Sequence, residues 1–270
     1  MSELDLAELT AASMERIRER TPLIHNITNF VVMNNTANAL LALGASPVMA
    51  HAEEEVVDMV AIASALVLNI GTLSPAWVQA MVKAAQAAAR KGIPIVLDPV
   101  GAGATPYRTA TVLELLAAAR PTIIRGNASE IMAVSGADSR TRGVDSAAAS
   151  QDALQAARSL YASLGSVICI SGATDYIVGE GPAYTVANGH PLMTRVTGLG
   201  CTATALCGAF AAVTADPALA AAQAMAVMGV AGEMAAARSQ GPGTLQLHFL
   251  DCLYQLTEAD LAQVRCGRQA

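Results

Sequence analysis

Aromatic side chains are scarce in this chain. Tryptophan occurs once, phenylalanine three times and tyrosine five times, so aromatics make up 3% of 270 residues. Base-stacking platforms need more than that, and a formal charge of −6 offers phosphate backbones no basic face, so nucleic acid is not an expected partner. Charge of either sign is thin, at 14% against about 25% in typical globular domains. A disordered chain needs the reverse, much charge and little hydrophobicity, whereas hydrophobic residues reach 53% here. No Gly-X-Y period exists, which excludes collagen. The five cysteines, Cys169, Cys201, Cys207, Cys252 and Cys266, are odd in number and form no CxxC pair. Neither a zinc knuckle nor a disulfide framework is indicated, and a reducing cytoplasm is the expected compartment. The opening MSELDLAELTAASMERIRER reads as a charged amphipathic helix, not a basic-then-apolar secretory leader.

What is present is small, aliphatic and alternating in type. Val196–Ala215 carries no charge, and after Asp216 the next charge is Glu233. The length suits a membrane span, but the run opens on Thr-Gly-Leu-Gly and has no aromatic belt or basic flank. Two helices buried in a core or a subunit interface fit it better. Helices are expected at 4–20, 29–43 (closed by Gly44), 53–64, from Ser74-Pro75 to Lys91-Gly92, 107–119, 128–135 and 146–164, with only helices from about 200 to 257. Strands are expected at 23–27, 46–50, 65–70, 94–97, 122–124 and 166–170. An antiparallel hairpin is expected at 176–178 and 183–186, around Gly-Glu-Gly-Pro, and a surface loop at 136–150. ALVLNI, PIVLD, TIIR and SVICI are continuously apolar, as strands covered on both faces are. The pattern predicts an α/β fold: a mostly parallel central sheet flanked by helices on both faces, with a helical C-terminal third.

Ligands of such sheets bind at the C-terminal ends of the strands. The residues there are Asn26, Met49, His51, Gly71, Asp98, Arg125 with Asn127, and Ser171-Gly172. Gly198-Leu199-Gly200-Cys201 leads into a long helix, so free backbone N–H groups and the helix dipole would make an anion site, unless the pair is simply a glycine loop into a helix. It is neither a Walker A loop nor a Rossmann fingerprint. Cys201, in the first turn, is placed to have a lowered pKa and to be partly thiolate; taken alone it would equally be a small buried hydrophobe. Asp98 precedes Pro-Val-Gly-Ala-Gly and suits a magnesium–water role, or simply caps a turn. Glu130 stands three residues after Asn127, the spacing of a capping box. Arg125 offers phosphate a fork of donors. His25 and His51 match no metal spacing and read as satisfied or surface histidines.

These segments together resemble hydroxyethylthiazole kinase of thiamine salvage, a family of the ribokinase-like superfamily. The resemblance runs through TPLIHNITNFVVMNNTANALLALGASPVMA, ALVLNIGTLSP, PIVLDPVGAGAT, TIIRGNASEI, ICISGATDYI and VTGLGCTATAL. It covers residues 21 to 245 in order, and the HNITN…NNTAN…GASPVM opening is its most specific part. It implies one kinase domain over 1–270 that uses ATP and Mg2+ to phosphorylate the hydroxyl of 5-(2-hydroxyethyl)-4-methylthiazole. Cys201 would take the place of the aspartate base of related kinases. Met49 and Gly198 would contact the thiazole alcohol, with Asn26 close by. Arg125, Ser171 and Gly200 would serve ATP, and Asp98 and Glu130 the magnesium ion. It also implies a homotrimer with sites between subunits, where Met33 reaches the neighbouring chain's substrate. Ser171 replaces the usual Thr, and Leu199 replaces the Thr usual between the two glycines. A kinase for a pyrimidine alcohol and a non-catalytic thiazole-binding trimer are the rival readings. With so few aromatics, the thiazole ring is expected to be gripped by Met49, aliphatic side chains and backbone.

Overall fold

The computed structural model describes residues 3–136 and 146–269. Among the described residues nine strands form one sheet: β1 (Leu23–Ile27), β2 (Ser46–Val48), β3 (Ala65–Asn69), β4 (Ile95–Asp98), β5 (Ile123–Asn127), β6 (Val167–Ser171), β7 (Asp175–Val178), β8 (Ala183–Val186) and β9 (Cys266–Gln269). The order is β2-β1-β3-β4-β5-β6-β7-β8-β9. The pairs from β2 to β6 are parallel, and those from β6 to β9 antiparallel. The chain turns one way from β1 to β2 and the other way to β3. The direction of winding therefore reverses between β1 and β3, the place where open α/β sheets take their ligands.

Two helical layers cover the sheet. On one face lie α1 (Glu3–Arg20), α2 (Met33–Leu43), α8 (Leu199–Ala211), α9 (Pro217–Ala237), α10 (Pro242–Gln255) and α11 (Glu258–Leu261). On the other lie α3 (Val56–Ile62), α4 (Pro75–Lys91), α5 (Pro106–Ala118), α6 (Ala128–Val134) and α7 (Ser146–Leu164). This explains the unbroken apolar runs: in β3, Ala65 and Val67 face the first layer while Leu66 and Leu68 face the second. The start and stop signals act as their chemistry dictates. Ser74 Oγ accepts from Trp77 N–H with Pro75 in the first turn, and Gly44 and Gly92 end α2 and α4 in the left-handed region.

Several boundaries differ from the sequence reading. The helix expected from 29 begins only at Met33, because Asn29 is drawn into side-chain bonds and its Oδ1 accepts Val31 N–H at 3.1 Å. Strand β5 continues through Arg125 to Asn127, since Arg125 and Asn127 pair with Cys169 and Ser171 of β6. A 3-10 turn at Pro191–Arg195 and the strand β9 carry no periodic signal and were not expected. Strand β9 pairs with β8, and Arg265 just before it pairs with Glu233, which also accepts from Gly189 N–H at 2.8 Å. Residues 137–145, within the stretch expected as a surface loop, lie outside the described residues.

The uncharged run resolves into α8 and α9, both packed on the sheet. Helix α9 is long and apolar enough to cross a membrane, and 78% of its apolar window is buried inside this fold. Helix α8 approaches the sheet closely because Gly208 has no side chain: a Cβ there would stand 2.7 Å from Val67 Cγ2 and 3.4 Å from Ile24 Cγ2. Gly208→Val is therefore expected to destabilise the chain by about 1–3 kcal/mol through overpacking. Denaturant midpoints of the purified variant and the wild type check this.

Candidate functional site

Along the α8 face, five of the parallel strands, β1 and β3 to β6, change from apolar to polar at their C-terminal ends. Ile24 is followed two residues on by Asn26, Val67 by Asn69, Val96 by Asp98, Ile123 by Arg125 and Cys169 by Ser171. Alternation puts each pair on one side of its strand. The result is a polar row across five neighbouring strands, under the N-terminus of α8. Asn26, Asn69, Asp98 and Arg125 in that row are buried.

Hydrogen bonds connect the row to α8. Asn29 Nδ2 donates to Asn69 Oδ1 at 2.8 Å and lies 3.6 Å from Cys201 Sγ. Asn69 Nδ2 donates to Asp98 Oδ2 at 2.9 Å, and Thr204 Oγ1 donates to the same oxygen at 2.8 Å. Arg125 Nη1 is 4.0 Å from Asp98 Oδ2, and its Nη2 donates to Ser171 Oγ. Asn29, Asn69 and Thr204 were not singled out from the sequence, although the Asn closing ALVLN breaks an apolar strand where a ligand edge is expected. Asn26 donates to Ile24 O at 2.9 Å and leaves its Oδ1 buried without a partner.

Helix α8 opens on Gly198, at φ 88°, and its first intrahelical bond runs from Thr202 N–H to Gly198 O. The amides before Thr202 have no partner within the helix. Neither glycine leaves room for a side chain. A Cβ on Gly198 would stand 2.8 Å from Val32 Cγ1, and one on Gly200 3.0 Å from Arg125 Nη1. Arg125 Nε is buried without a hydrogen-bond partner. Its orphaned donor and the open helix end together suit an anion with several oxygens.

Burial governs the ionisation of the row. It pushes Asp98 up to about 6, although Arg125, Thr204 and Asn69 pull the other way. For Arg125, burial opposes the charge, yet Asp98 and neighbouring acidic groups outweigh it and raise the pKa. Cys201 does not match the expectation of a lowered pKa. Burial and then the Asp98 charge drive its thiol up to about 11, despite hydrogen bonds from Asn69 and Asn29. The helix end is outweighed first by burial of the thiol and then by the Asp98 carboxylate, so Cys201 is a thiol at neutral pH.

The carboxylates proposed for a metal are already engaged. Glu130 forms the capping box with Asn127, its Oε2 accepting Asn127 N–H at 2.8 Å. Its Oε1 accepts Gly101 N–H at 2.9 Å, which ties the loop after β4 to the start of α6. The same loop is held by Arg108, whose guanidinium donates to Ile70 O, Val100 O and Gly71 O. Among the described residues no cluster of three His, Cys, Asp or Glu forms a metal cage. A magnesium ion that arrived with phosphates and kept most of its waters would ask of such engaged carboxylates only outer contacts.

At the β1–β3 end, Met49 is half-buried just past β2, and Met33 is half-buried at the first position of α2. Three rings gather beside them. His51 stacks on Trp77 with centroids 4.3 Å apart, and Phe30 meets Trp77 edge-on at 4.6 Å. Few as the aromatics are, the single Trp and one Phe pack together here, with Trp77 buried and Phe30 exposed. His51 is exposed, whereas His25 is buried on the other face of β1, with its ring bonded to Ala50 O through Nε2 and its Nδ1 unpartnered.

The sequence matches the profile of the Hydroxyethylthiazole kinase family over residues 14–259. It is 68% identical over 257 residues to a hydroxyethylthiazole kinase of Syntrophus aciditrophicus, covering 95% of each chain. The fold superposes on the structure of a hydroxyethylthiazole kinase protein from Pyrococcus horikoshii with a TM-score of 0.90. That structure is 42% identical, and the match covers 97% of this chain and 100% of that one. A ribokinase-like superfamily protein of Enterococcus faecalis, 14% identical, shares the fold at a TM-score of 0.63 over 96% of both chains. A polar row beneath an open helix end, on a ribokinase-like sheet, thus comes with a sequence that belongs to the hydroxyethylthiazole kinase family.

Proposed function

We propose that this chain transfers the terminal phosphoryl group of ATP to the hydroxyl of 5-(2-hydroxyethyl)-4-methylthiazole, as a step of thiamine salvage. The observation that carries the reading is Arg125, a buried guanidinium with an unpartnered Nε beneath the open amides of α8. Phosphoryl transfer asks for little covalent help from the protein; positioning and charge neutralisation do most of the work. Amides around Gly198 and Gly200 hold the transferring group, and Arg125 with Ser171 holds the nucleotide phosphates. Asp98 and Glu130 would hold magnesium through its waters, and the ion would supply countercharge to the phosphates.

The thiazole alcohol lies at the β1–β3 end, against Met49 and Gly198 and near Asn26. Cys201, held as a thiol, orients the hydroxyl towards the phosphoryl group. A loose transition state asks for little basicity at that position. The chain works as a cytoplasmic homotrimer over one kinase domain, and Met33 at the start of α2 lines the neighbouring subunit's substrate.

The decisive measurement is ADP release from ATP with the thiazole alcohol, with and without magnesium. Release that needs both supports the reading; release only with a pyrimidine alcohol, or thiazole binding without turnover, overturns it. General-base help is worth about 10²–10⁴-fold, so an orienting thiol is expected near or below the lower end, and Cys201→Ala should lose about 10- to 100-fold in kcat. Cys201→Asp should remain active, and a Cys201→Ala enzyme with unchanged turnover would sink the assigned role. Gly200→Ala should raise KM for ATP by about tenfold or more, because its methyl group drives Arg125 away from Ser171. Steady-state kinetics at varied ATP check it.

A further inference from the structure

We propose that Asp175 is a positioning residue for the nucleotide: it fixes the turn between β6 and β7 that presents Ser171, and so sets the affinity for ATP. The inference rests on the kinase reading and adds a residue to it. Asp175 is buried at the first position of β7. Ile177, two residues on, packs in the α8-side core, so Asp175 faces the same side as Arg125 and Ser171. The hairpin pairs Ile170 with Tyr176 and Cys169 with Ile177, and one further step sets Asp175 across from Ser171.

The turn closes on this side chain. Asp175 Oδ1 accepts the Gly172 N–H at 2.9 Å, from the residue directly after Ser171. A Cβ on Gly172 would lie 3.3 Å from Thr174 O, so the turn is tight as well as bonded. Ser171 Oγ is in turn the acceptor for Arg125 Nη2 and sits 3.4 Å from Gly126 O. Asp175 therefore fixes the backbone on which the nucleotide-side hydroxyl stands. Burial raises its pKa to about 7, while the Gly172 bond and Arg125 oppose the rise. Its neighbours in charge are Arg125 on β5, Cys169 on β6 and Cys207 on α8. The bond from Gly172 needs only an acceptor oxygen, so a neutral amide can replace the carboxylate.

The test uses the full chain, with ADP binding by calorimetry and steady-state kinetics side by side. Loss of one such hydrogen bond corresponds to about tenfold in affinity. Asp175→Ala is expected to weaken ADP binding and raise KM for ATP by that factor, leaving KM for the thiazole alcohol unchanged. Asp175→Asn is expected to restore wild-type affinity. Should the alanine variant fail to fold, Asp175→Ser, whose hydroxyl is too short to reach Gly172, takes its place with the same expected loss. Wild-type ADP affinity in the alanine or serine variant overturns the role, as does an asparagine variant as weak as alanine. A wild-type chain that neither binds ADP nor consumes ATP overturns the kinase reading itself.

Discussion

A guanidinium buried in a protein interior keeps its charge only if its surroundings supply what water no longer does. Arg125 is placed under that demand by the fold, at the end of a central strand and under a helix. Asp98 supplies countercharge from 4.0 Å, Ser171 accepts one nitrogen, and Nε is left without an acceptor. The neighbourhood is arranged around this incomplete solvation. Asn69 and Thr204 hold the Asp98 carboxylate, and Gly200 leaves space above the guanidinium. An incoming polyphosphate would complete the solvation, so binding and relief of a desolvation penalty become one event.

The same arrangement separates two tasks along one sheet edge. Cationic and hydroxyl groups stand on β5 and β6, while amides, Met49 and the ring cluster stand towards β1 and β2. Helix α8 lies over the middle with its N-terminus between them. Cys201 belongs to the boundary. Burial and a neighbouring carboxylate keep its thiol protonated, so its position at the sheet edge matters more than its nucleophilicity.

Much of this was legible from the chain. Continuous apolar strands gave the two-sided sheet, and Ser74-Pro75 and Asn127-Ala128-Ser129-Glu130 marked helix starts that form as read. Asp98, Arg125 and Glu130 stood out because charge is so scarce in this sequence, and Ser171 because it closes a strand at the expected ligand edge. Asn29 and Asn69 did not stand out, since an amide carries its meaning only through a partner, here 40 residues away. The ionisation of Cys201 was misread for a related reason. Its local feature, the helix end, is visible in sequence, while the opposing Asp98 is brought close only by the packing of α8 on β4. Strand β9 escaped because its pairing with β8 joins segments far apart in the chain.

Helix α8 is both a wall of the core and the roof of the site. Gly208 sets its distance from Val67, and Gly200, two turns earlier, sets its distance from Arg125. The helix backbone is stiff between them, so any change in core volume beneath Gly208 would tilt the open amides at its N-terminus. Packing in this part of the interior and the position of the α8 N-terminus are thereby linked. Substitutions there cannot be sorted into those that affect folding and those that affect chemistry, because the same few tenths of an ångström serve both.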